Sequence, residues 1–276
     1  MSRWTGIVVA AAATADDEMA SRLPSYLHPI AGRPLVWHAV SELARAEPRP
    51  ERLIVVGGAE LPAALFGDIP AGALEVVRHE ELGDLDLSDS ATVLVVDASA
   101  WVPAAAVARL VSSPPRSWLG DGDLVAAARL DPQLAPEVLR VPTPLRSTRG
   151  VLTPAGRVLD VDGVIVVRDR SELTMVSECV RRSLVLSHMH AGVTFLLPAS
   201  VLVDVDVRIG TDTTIYPGVV LEGETTIGAE TVIGPGCRII DSWIGSGVEM
   251  KGWNYVSHTS VRNRAILEPY VRRGFD

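Results

Sequence analysis

Residues 201–240 are VLVDVDVRIGTDTTIYPGVVLEGETTIGAETVIGPGCRII, and an aliphatic side chain recurs in this stretch at every sixth position. The recurring residues are Val203, Ile209, Ile215, Leu221, Ile227, Ile233 and Ile239. Glycine directly follows three of them, at Gly210, Gly228 and Gly234. A six-residue repeat of one inward aliphatic side chain is typical of a parallel β-helix, in which each hexad forms one flat face of a coil. We therefore predict a β-helix.

The repeat continues beyond this stretch with two slips of phase. It resumes after Ile239 at Ile244, Met250 and Val256, and again at Val261 and Leu267. Three hexads per coil predict about four coils in a β-helix domain over residues 196–276. Stacked coils leave an open end that solenoids cover with a cap or a partner chain. We therefore expect a homo-oligomer formed through the β-helix, or a protein partner at its open end.

Residues 1–195 have a different pattern, in which short aliphatic runs alternate with helical segments. The predicted strands are TGIVVAA (5–11), ERLIVVGG (51–58), ALEVVRH (73–79) and ATVLVVDA (91–98), and the predicted helices cover 34–46, 103–113 and 170–192. Nearly continuous apolar strands alternating with helices indicate a parallel sheet covered on both faces. Residues 112–123 are predicted to form a turn-rich connection, and residues 137–163 β-hairpins with a turn at 154–156. The N-terminal part is thus predicted to be one α/β domain.

Composition excludes several classes of protein. The formal charge of −9 opposes a surface for nucleic acid or anionic membranes, which needs clustered Lys and Arg. No apolar run reaches the roughly 20 residues of a membrane-spanning helix. The N-terminus is interpreted as a buried strand rather than a signal peptide, so we expect a cytoplasmic protein. Cys179 and Cys237 belong to no Cys-x-x-Cys motif, and we expect two buried free thiols rather than a disulfide or a zinc site.

An α/β domain followed by these hexads resembles one family, the bifunctional N-acetylglucosamine-1-phosphate uridyltransferase/glucosamine-1-phosphate acetyltransferases. MASRLPSYLHPIAGRPLVWHAV (19–40) is similar to the family's segment from the phosphate loop to the first helix, and MHAGVTFLLPASVLVDVDVRIG (189–210) to the start of its β-helix. EELGD (80–84) and VDGVIVVRDRSEL (161–173) resemble its base-contacting and sugar-contacting segments. The resemblance implies a Rossmann-like nucleotidyltransferase domain, a short left-handed β-helix, and a trimer.

The chain departs from the family at the phosphate-binding loop. The family motif has two glycines, a threonine and an arginine before the methionine, and a lysine after Leu-Pro. Aligned on Met19, these positions hold Thr14, Asp16, Asp17, Glu18 and Ser25. Glycine lets backbone N–H groups approach a triphosphate, and cations neutralise the departing pyrophosphate. An acid there repels phosphate by about 1–4 kcal/mol, and a lost transition-state cation costs a factor of roughly 10²–10³. The only lysine is Lys251, so we predict that this loop has lost its phosphate chemistry.

Other positions match binding residues of the family. Asp97 matches the aspartate that holds Mg²⁺, and Asp169 lies near the asparagine that completes that metal site; two carboxylates would suit one Mg²⁺. The alternative for Asp97 is a cap of the next helix. Asp162 lies near the sugar-binding glutamate, and Arg78 or Glu81 takes the place of the base-reading glutamine.

The acetyltransferase half is represented only at its beginning. YVRRGF (270–275) resembles the start of a family segment in which Arg272 would contact a sugar phosphate. The segments matching the family's catalytic histidine and acetyl-CoA contacts are absent from this sequence. His258 is the one histidine in the β-helix, where it would be either a general base or a solvated side chain.

Three functions remain open from the sequence. The first is a degenerate sugar-nucleotidyltransferase-like protein, a pseudoenzyme kept for binding a sugar nucleotide, for assembly or for regulation. The second is an active enzyme of the UDP-N-acetylglucosamine pyrophosphorylase type, with Mg²⁺ at Asp97 and Asp169. The third is a hexapeptide-repeat acyltransferase using His258. The loss of the cationic loop favours the first.

Overall fold

The computed structural model describes residues 3–11, 18–57, 61–70, 73–78, 85–121, 124–133, 135 and 157–274. Its contacts divide the chain into two compact units. The first comprises residues 1–28 and 34–176, and the second comprises residues 29–33 and 177–276. The division at 176/177 falls within a helix, whereas the hexapeptide pattern begins near residue 196.

The first unit is an α/β structure. Its strands are β1 (Trp4–Val9), β4 (Arg52–Gly57), β5 (Ala73–Arg78), β6 (Thr92–Asp97), β7 (Ala100–Trp101), β8 (Ser117–Asp121), β9 (Leu124–Leu130), β10 (Arg157–Val158) and β11 (Ile165–Val166). Its helices are α1 (Leu35–Arg45) and α2 (Ala104–Ser112), with 3₁₀ turns at Ser25–Leu27 and Ala63–Phe66. Strands β7 and β11 form a small separate ribbon. A second ribbon pairs β2 (Pro29–Ile30) with β3 (Arg33–Pro34), and its residues 29–33 belong to the second unit. The four predicted strands and the helices at 34–46 and 103–113 are confirmed.

Seven strands form the main sheet in the order β10-β8-β9-β6-β1-β4-β5. Strands β6, β1, β4 and β5 are mutually parallel, and β9 runs antiparallel to β6. The successive residues Val8 and Val9 point to opposite faces of β1, and both are buried. Burial on both faces explains why these strands are almost continuously aliphatic rather than alternating. All the parallel strands therefore end at one edge of the sheet, where β1 ends at Val9 and β6 at Asp97.

The prediction for residues 112–123 is wrong in part. Ser117–Asp121 form strand β8, which pairs with β9 over a register shift next to Gly120. Trp118 and Leu119 are buried on this strand, and their burial outweighs the proline and glycine signals around them. The hairpins predicted for 137–163, including the turn at 154–156, lie largely outside the described residues.

The second unit is a parallel β-helix preceded by part of a long helix, α3 (Arg170–His190). Strands β12 to β25 form three parallel sheets of five, five and four strands. The first sheet holds β12 (Thr194–Phe195), β15 (Thr214–Ile215), β18 (Val232–Ile233), β21 (Glu249–Met250) and β24 (Ile266–Leu267). The second holds β13 (Leu202–Val203), β16 (Val220–Glu222), β19 (Arg238–Ile240), β22 (Tyr255–Ser257) and β25 (Arg272–Arg273), and the third holds β14 (Arg208–Ile209), β17 (Thr226–Ile227), β20 (Trp243–Ile244) and β23 (Ser260–Val261). These strands make four complete coils, the number predicted, and two strands of another.

The predicted inward residues form the core of the β-helix. Ile215, Leu221, Ile233 and Ile239 are fully buried, and Met250 continues their stack. Neighbouring coils place like residues in register, so each inward side chain packs on those one coil above and below. The parallel β-helix predicted from the hexapeptide spacing is confirmed.

The slip of phase after Ile239 corresponds to a shorter corner. Val220 lies beside Arg238, 18 residues on, whereas Arg238 lies beside Tyr255, 17 residues on. The shortened corner places Asp241 in the left-handed backbone region, with φ of 42°, and His258 follows one coil later with φ of 46°. Gly223 occupies the corresponding position of the preceding coil, where glycine adopts this conformation without steric cost. Two polar side chains thus project from a corner that favours glycine.

Candidate functional site

The carboxyl edge of the parallel sheet is the expected place for a site in this architecture, because ligands of open α/β sheets bind outside the strand ends. Strand β1 ends at this edge, and the predicted loop positions Thr14, Asp16 and Asp17 lie outside the described residues. Glu18 is exposed and Met19 is buried. The methionine that anchors the motif is therefore part of the core.

Ser25 is a position of the predicted loop motif that the structure describes. It takes the place of the family's lysine and is only 2% exposed. Its Oγ lies 2.7 Å from Oγ of Ser99, which itself follows the end of β6. A buried hydroxyl paired with another hydroxyl carries no charge, so Ser25 supplies no cation to a phosphate.

Asp97 ends strand β6 and is buried. Its Oδ1 accepts a hydrogen bond from the backbone N–H of Ser99 at 2.8 Å. This is a local turn-forming contact two residues along the chain, a typical role for aspartate. Helix α2 begins only at Ala104, so the alternative that Asp97 caps that helix is not what the structure shows.

Asp169 immediately precedes helix α3. Its Oδ1 accepts from the N–H of Glu172 at 2.8 Å, and Oε2 of Glu172 accepts from the N–H of Asp169 at 3.2 Å. This reciprocal pair is a capping box, which satisfies the otherwise unpaired N–H groups of a helix start. Arg168 adds an ion pair to Glu172. Asp169 therefore has a complete structural role at the helix N-terminus.

The carboxylates that the structure describes do not form a complete set of ligands for Mg²⁺. Asp97 and Asp169 each direct one carboxylate oxygen to a backbone N–H group. Across the described ranges, no three His, Cys, Asp or Glu side chains are grouped as metal ligands. Mg²⁺ at these two carboxylates stays a prediction, and no step is derived through it.

In the α/β unit, the structure describes two of the three residues predicted to contact substrate. Arg78 ends β5 and is exposed, and Asp162 lies exposed in the turn before β11. Glu81 lies outside the described residues. The base-reading and sugar-binding roles of these three residues remain predictions.

Arginines near the loop do not replace the missing cations in an obvious way. Nε and Nη2 of Arg33 donate to the two carboxylate oxygens of Asp206, at 2.8 and 2.9 Å. A bidentate pair of this kind fixes the guanidinium and neutralises its charge locally. Arg22 is exposed near the loop.

Two further predicted residues lie on the β-helix. Arg272, on β25, places its guanidinium carbon 5.5 Å from the ring centre of Tyr255, a cation–π contact. His258 is half exposed; its Nε2 lies 3.4 Å from Oδ2 of Asp241, and its Nδ1 lies 2.7 Å from Oγ of Ser257. Ser257 is fully buried, so this hydroxyl orients the imidazole and is not presented to a ligand.

Sequence reasoning missed Glu42, a partly buried carboxylate on α1. Its Oε2 accepts from the N–H of Ala104, the first residue of α2, at 2.7 Å. Burial raises the pKa of Glu42, while the Ala104 N–H and the Arg45 charge oppose the rise. No local pattern marks such a cap, because the two residues are brought together only by the fold.

The two cysteines are free, and burial raises the pKa of both thiols.

Comparisons with known proteins bear on both units. Residues 206–241 match the family model described as bacterial transferase hexapeptide (six repeats). The bifunctional protein GlmU of Brevibacillus brevis is 25% identical over 341 aligned positions, which span 99% of this chain and 73% of that protein. The resemblance to this bifunctional family is confirmed. The chain is GlmU-like, with a Rossmann-like nucleotidyltransferase fold followed by a left-handed β-helix.

Other GlmU proteins match over a shorter stretch. The protein of Alkaliphilus metalliredigens is 34% identical over 115 residues, which are 42% of this chain and 25% of that protein. The matching stretch of this chain thus spans about a quarter of the length of that protein and of the GlmU protein of Geobacillus sp. (strain WCH70). A solved structure, the homologue of Mycobacterium tuberculosis rv0371c from Mycobacterium sp. strain JC1, is 16% identical with a TM-score of 0.48 and covers 66% of this chain and 98% of its own. In the described part of this chain, no helix has the length and apolar character needed to cross a bilayer.

Proposed function

We propose that this GlmU-like chain is a binding or assembly subunit that does not transfer nucleotidyl groups. The observation that carries the proposal is Ser25, a buried hydroxyl at the position of the family's lysine. Nucleotidyl transfer needs positive charge where pyrophosphate departs, and electrostatic stabilisation of this kind is the main catalytic term. Ser25 offers none, Arg33 is paired with Asp206, and the described part of the loop contributes the acid Glu18.

The binding function rests on the intact scaffold. The parallel strands end at one edge of the sheet, and Asp162, the predicted sugar-binding residue, lies in the turn before β11 in the same unit. A sugar nucleotide carries two phosphates that are already esterified, so its binding needs no cation to stabilise a leaving group. We expect UDP-N-acetylglucosamine or a related sugar nucleotide to bind without turnover.

The assembly function rests on the outer surface of the β-helix. Large apolar side chains are exposed on its sheets, namely Leu202 on β13, Val232 on β18 and Ile266 on β24. Association with further copies of the chain would remove these side chains from water. We expect a homotrimer through the β-helix, with a light-scattering mass three times that of the chain.

The deciding experiment is isothermal titration with UDP-N-acetylglucosamine and with UTP, each with and without Mg²⁺. The proposal predicts that the sugar nucleotide binds and that Mg²⁺ adds no UTP binding. Tight, Mg²⁺-dependent UTP binding would overturn it in favour of an active nucleotidyltransferase. No binding in any titration would restrict the chain to assembly, which the mass measurement tests separately.

A further inference from the structure

A polar groove of about 500 Å³ lies on one side of the β-helix. Its lining residues are Glu224, Thr226, Asp241, Ser242, Trp243, His258, Thr259 and Ser260. Ligand sites commonly have volumes of roughly 300–1,000 Å³, so the groove is large enough for a small molecule. None of the predicted nucleotidyltransferase residues lines this groove. His258, the acyltransferase candidate, does line it.

The regular coils bring these side chains together. Thr226, Trp243 and Ser260 are adjacent rungs of the third sheet, each beside the next in register. Glu224, Asp241 and His258 lie on the corner that precedes these strands. The groove therefore spans three successive coils, with an indole in the middle rung.

The groove concentrates negative charge. Oδ1 of Asp241 accepts from the N–H of Glu224 at 2.9 Å, which brings the two acidic residues together. None of the residues that line it is a lysine or an arginine, and its one basic group is the imidazole of His258. Within the groove, Oδ2 of Asp241 lies 3.4 Å from Nε2 of His258, so two carboxylates share one imidazole. Elsewhere in the described part of the second unit four carboxylates pair with an arginine or a lysine: Glu178 with Arg181, Glu222 with Arg238, Glu268 with Lys251, and Asp206 with Arg33.

The indole of Trp243 is 46% exposed in this acidic setting. Among aromatic side chains, tryptophan attracts cations to its ring face most strongly, and a contact of this kind is worth about 0.5–2 kcal/mol depending on desolvation. The carboxylates of Glu224 and Asp241 line the same groove as this indole and add charge attraction for a cation bound there. Hydroxyl groups of Thr226, Thr259 and Ser260 are available for hydrogen bonds to an ammonium group or its neighbours.

We propose that this groove binds a small organic ammonium ion, held by Trp243 and by the carboxylates of Glu224 and Asp241. The ammonium can be free in solution or be the side chain of a lysine derivative, since both present the same charge to an indole. The site is independent of the sheet-edge site and of the nucleotide proposal.

The test is a titration of the full chain with choline and, separately, with 3,3-dimethylbutan-1-ol, its uncharged isostere. Binding is measured by ligand-observed NMR. An exposed site of this kind gives a dissociation constant of about 1 mM for choline and binds the neutral isostere at least about fivefold more weakly. Nα-acetyl-lysine methylamide forms a second arm, which separates a free ammonium from a lysine side chain as the preferred source.

Variants locate the binding. Trp243→Ala and the double variant Glu224→Gln/Asp241→Asn are each expected to weaken binding of the preferred probe by about fivefold or more. The matched controls are Trp253→Ala and Glu249→Gln, an exposed tryptophan and an exposed acid of the β-helix outside the groove, and these should leave binding unchanged. Equal binding of choline and its isostere, no saturable binding of either ammonium probe, or equal effects of groove and control variants would overturn the proposal.

Discussion

Within each of the two units, the paired strands are separated by different distances along the chain. In the α/β unit the central strand β1 pairs Thr5 with Arg52 and Trp4 with Thr92, so its sheet joins segments far apart in sequence. In the β-helix each strand pairs with the one a single coil later, as Val220 does with Arg238. One unit therefore depends on distant pairings, and the other on a short repeated contact.

In the α/β unit, the residues that form the fold are different from the residues that would carry out the chemistry. Its strands stay aliphatic and buried, while the positions that would act on phosphate lie in the connections after them. A connection can lose its glycines and cations without affecting the pairing of the strands. In the β-helix the same short repeat sets the core and positions the outward side chains, so corner changes such as Asp241 and His258 alter the surface directly.

The largest effect is expected from a charge placed inside the repeat. Ile233→Asp should lower the free energy of unfolding by about 4 kcal/mol or more, because an unpaired carboxylate would enter a core position with no exposed surface. Thr194→Asp, at an exposed outward position of the same sheet, should cost less than about 1 kcal/mol. Urea denaturation measures both, and similar losses would contradict the assigned inward and outward faces.

The next effect concerns crowding between coils. A Cβ added at Gly228 would lie 2.5 Å from the backbone N of Ser246, so Gly228→Ala should destabilise the chain by about 2–3 kcal/mol. In the α/β unit, a Cβ at Gly67 would meet only the carbonyl of Ala64 at 3.5 Å, and Gly67→Ala should be neutral or stabilising by about 0.5 kcal/mol. If the two variants unfold at the same denaturant concentration, coil crowding is not the reason for the repeated glycines.

A smaller effect distinguishes a helix cap from a metal ligand in the α/β unit. Asp169→Ala should cost about 1 kcal/mol through loss of the α3 cap, whereas Asp169→Asn should cost only a few tenths, because asparagine caps almost as well. Thermal unfolding of both variants should be unaffected by Mg²⁺. Magnesium stabilisation of the unmodified chain that disappears in Asp169→Asn would establish the metal role instead.

The smallest effect is a pH dependence on the β-helix. Burial raises the pKa of Asp204, and the nearby charges of Glu222, Asp206 and Asp241 add to the rise, while the N–H of Gly223 opposes it. The folded state therefore holds this proton to higher pH than the unfolded chain, so its contribution is present at low pH and is lost as pH rises through the folded pKa.

Asp204→Asn removes this ionisation and keeps an acceptor for Gly223. The variant should be at least as stable as the unmodified chain at neutral pH, and the difference should shrink as the solution is acidified towards the ordinary aspartate pKa. Melting temperatures of both proteins across that range measure it. A difference that grows on acidification would reverse the assigned direction of the shift.

The sequence predicted the β-helix well because spacing alone specifies it, down to the short corner after Ile239. It predicted β1, β4, β5 and β6 from their aliphatic runs, but missed β8, since Trp118 and Leu119 stand among prolines and glycines. It did not foresee that Asp169 caps α3 together with Glu172, or that Ser25 meets Ser99. The Ser25–Ser99 contact depends on the finished fold, so no local pattern records it. Asp169-x-x-Glu172 is a local capping-box pattern, which the interpretation of Asp169 as a metal ligand passed over.

The most direct test of the central claim is release of pyrophosphate from UTP when N-acetylglucosamine 1-phosphate and Mg²⁺ are supplied to the purified chain. A loop without phosphate chemistry predicts no release above a protein-free control, under conditions in which UDP-N-acetylglucosamine binding is measured in the same preparation. Repeated turnover, with UDP-N-acetylglucosamine formed in equal amount to pyrophosphate, would contradict the account and identify an active nucleotidyltransferase.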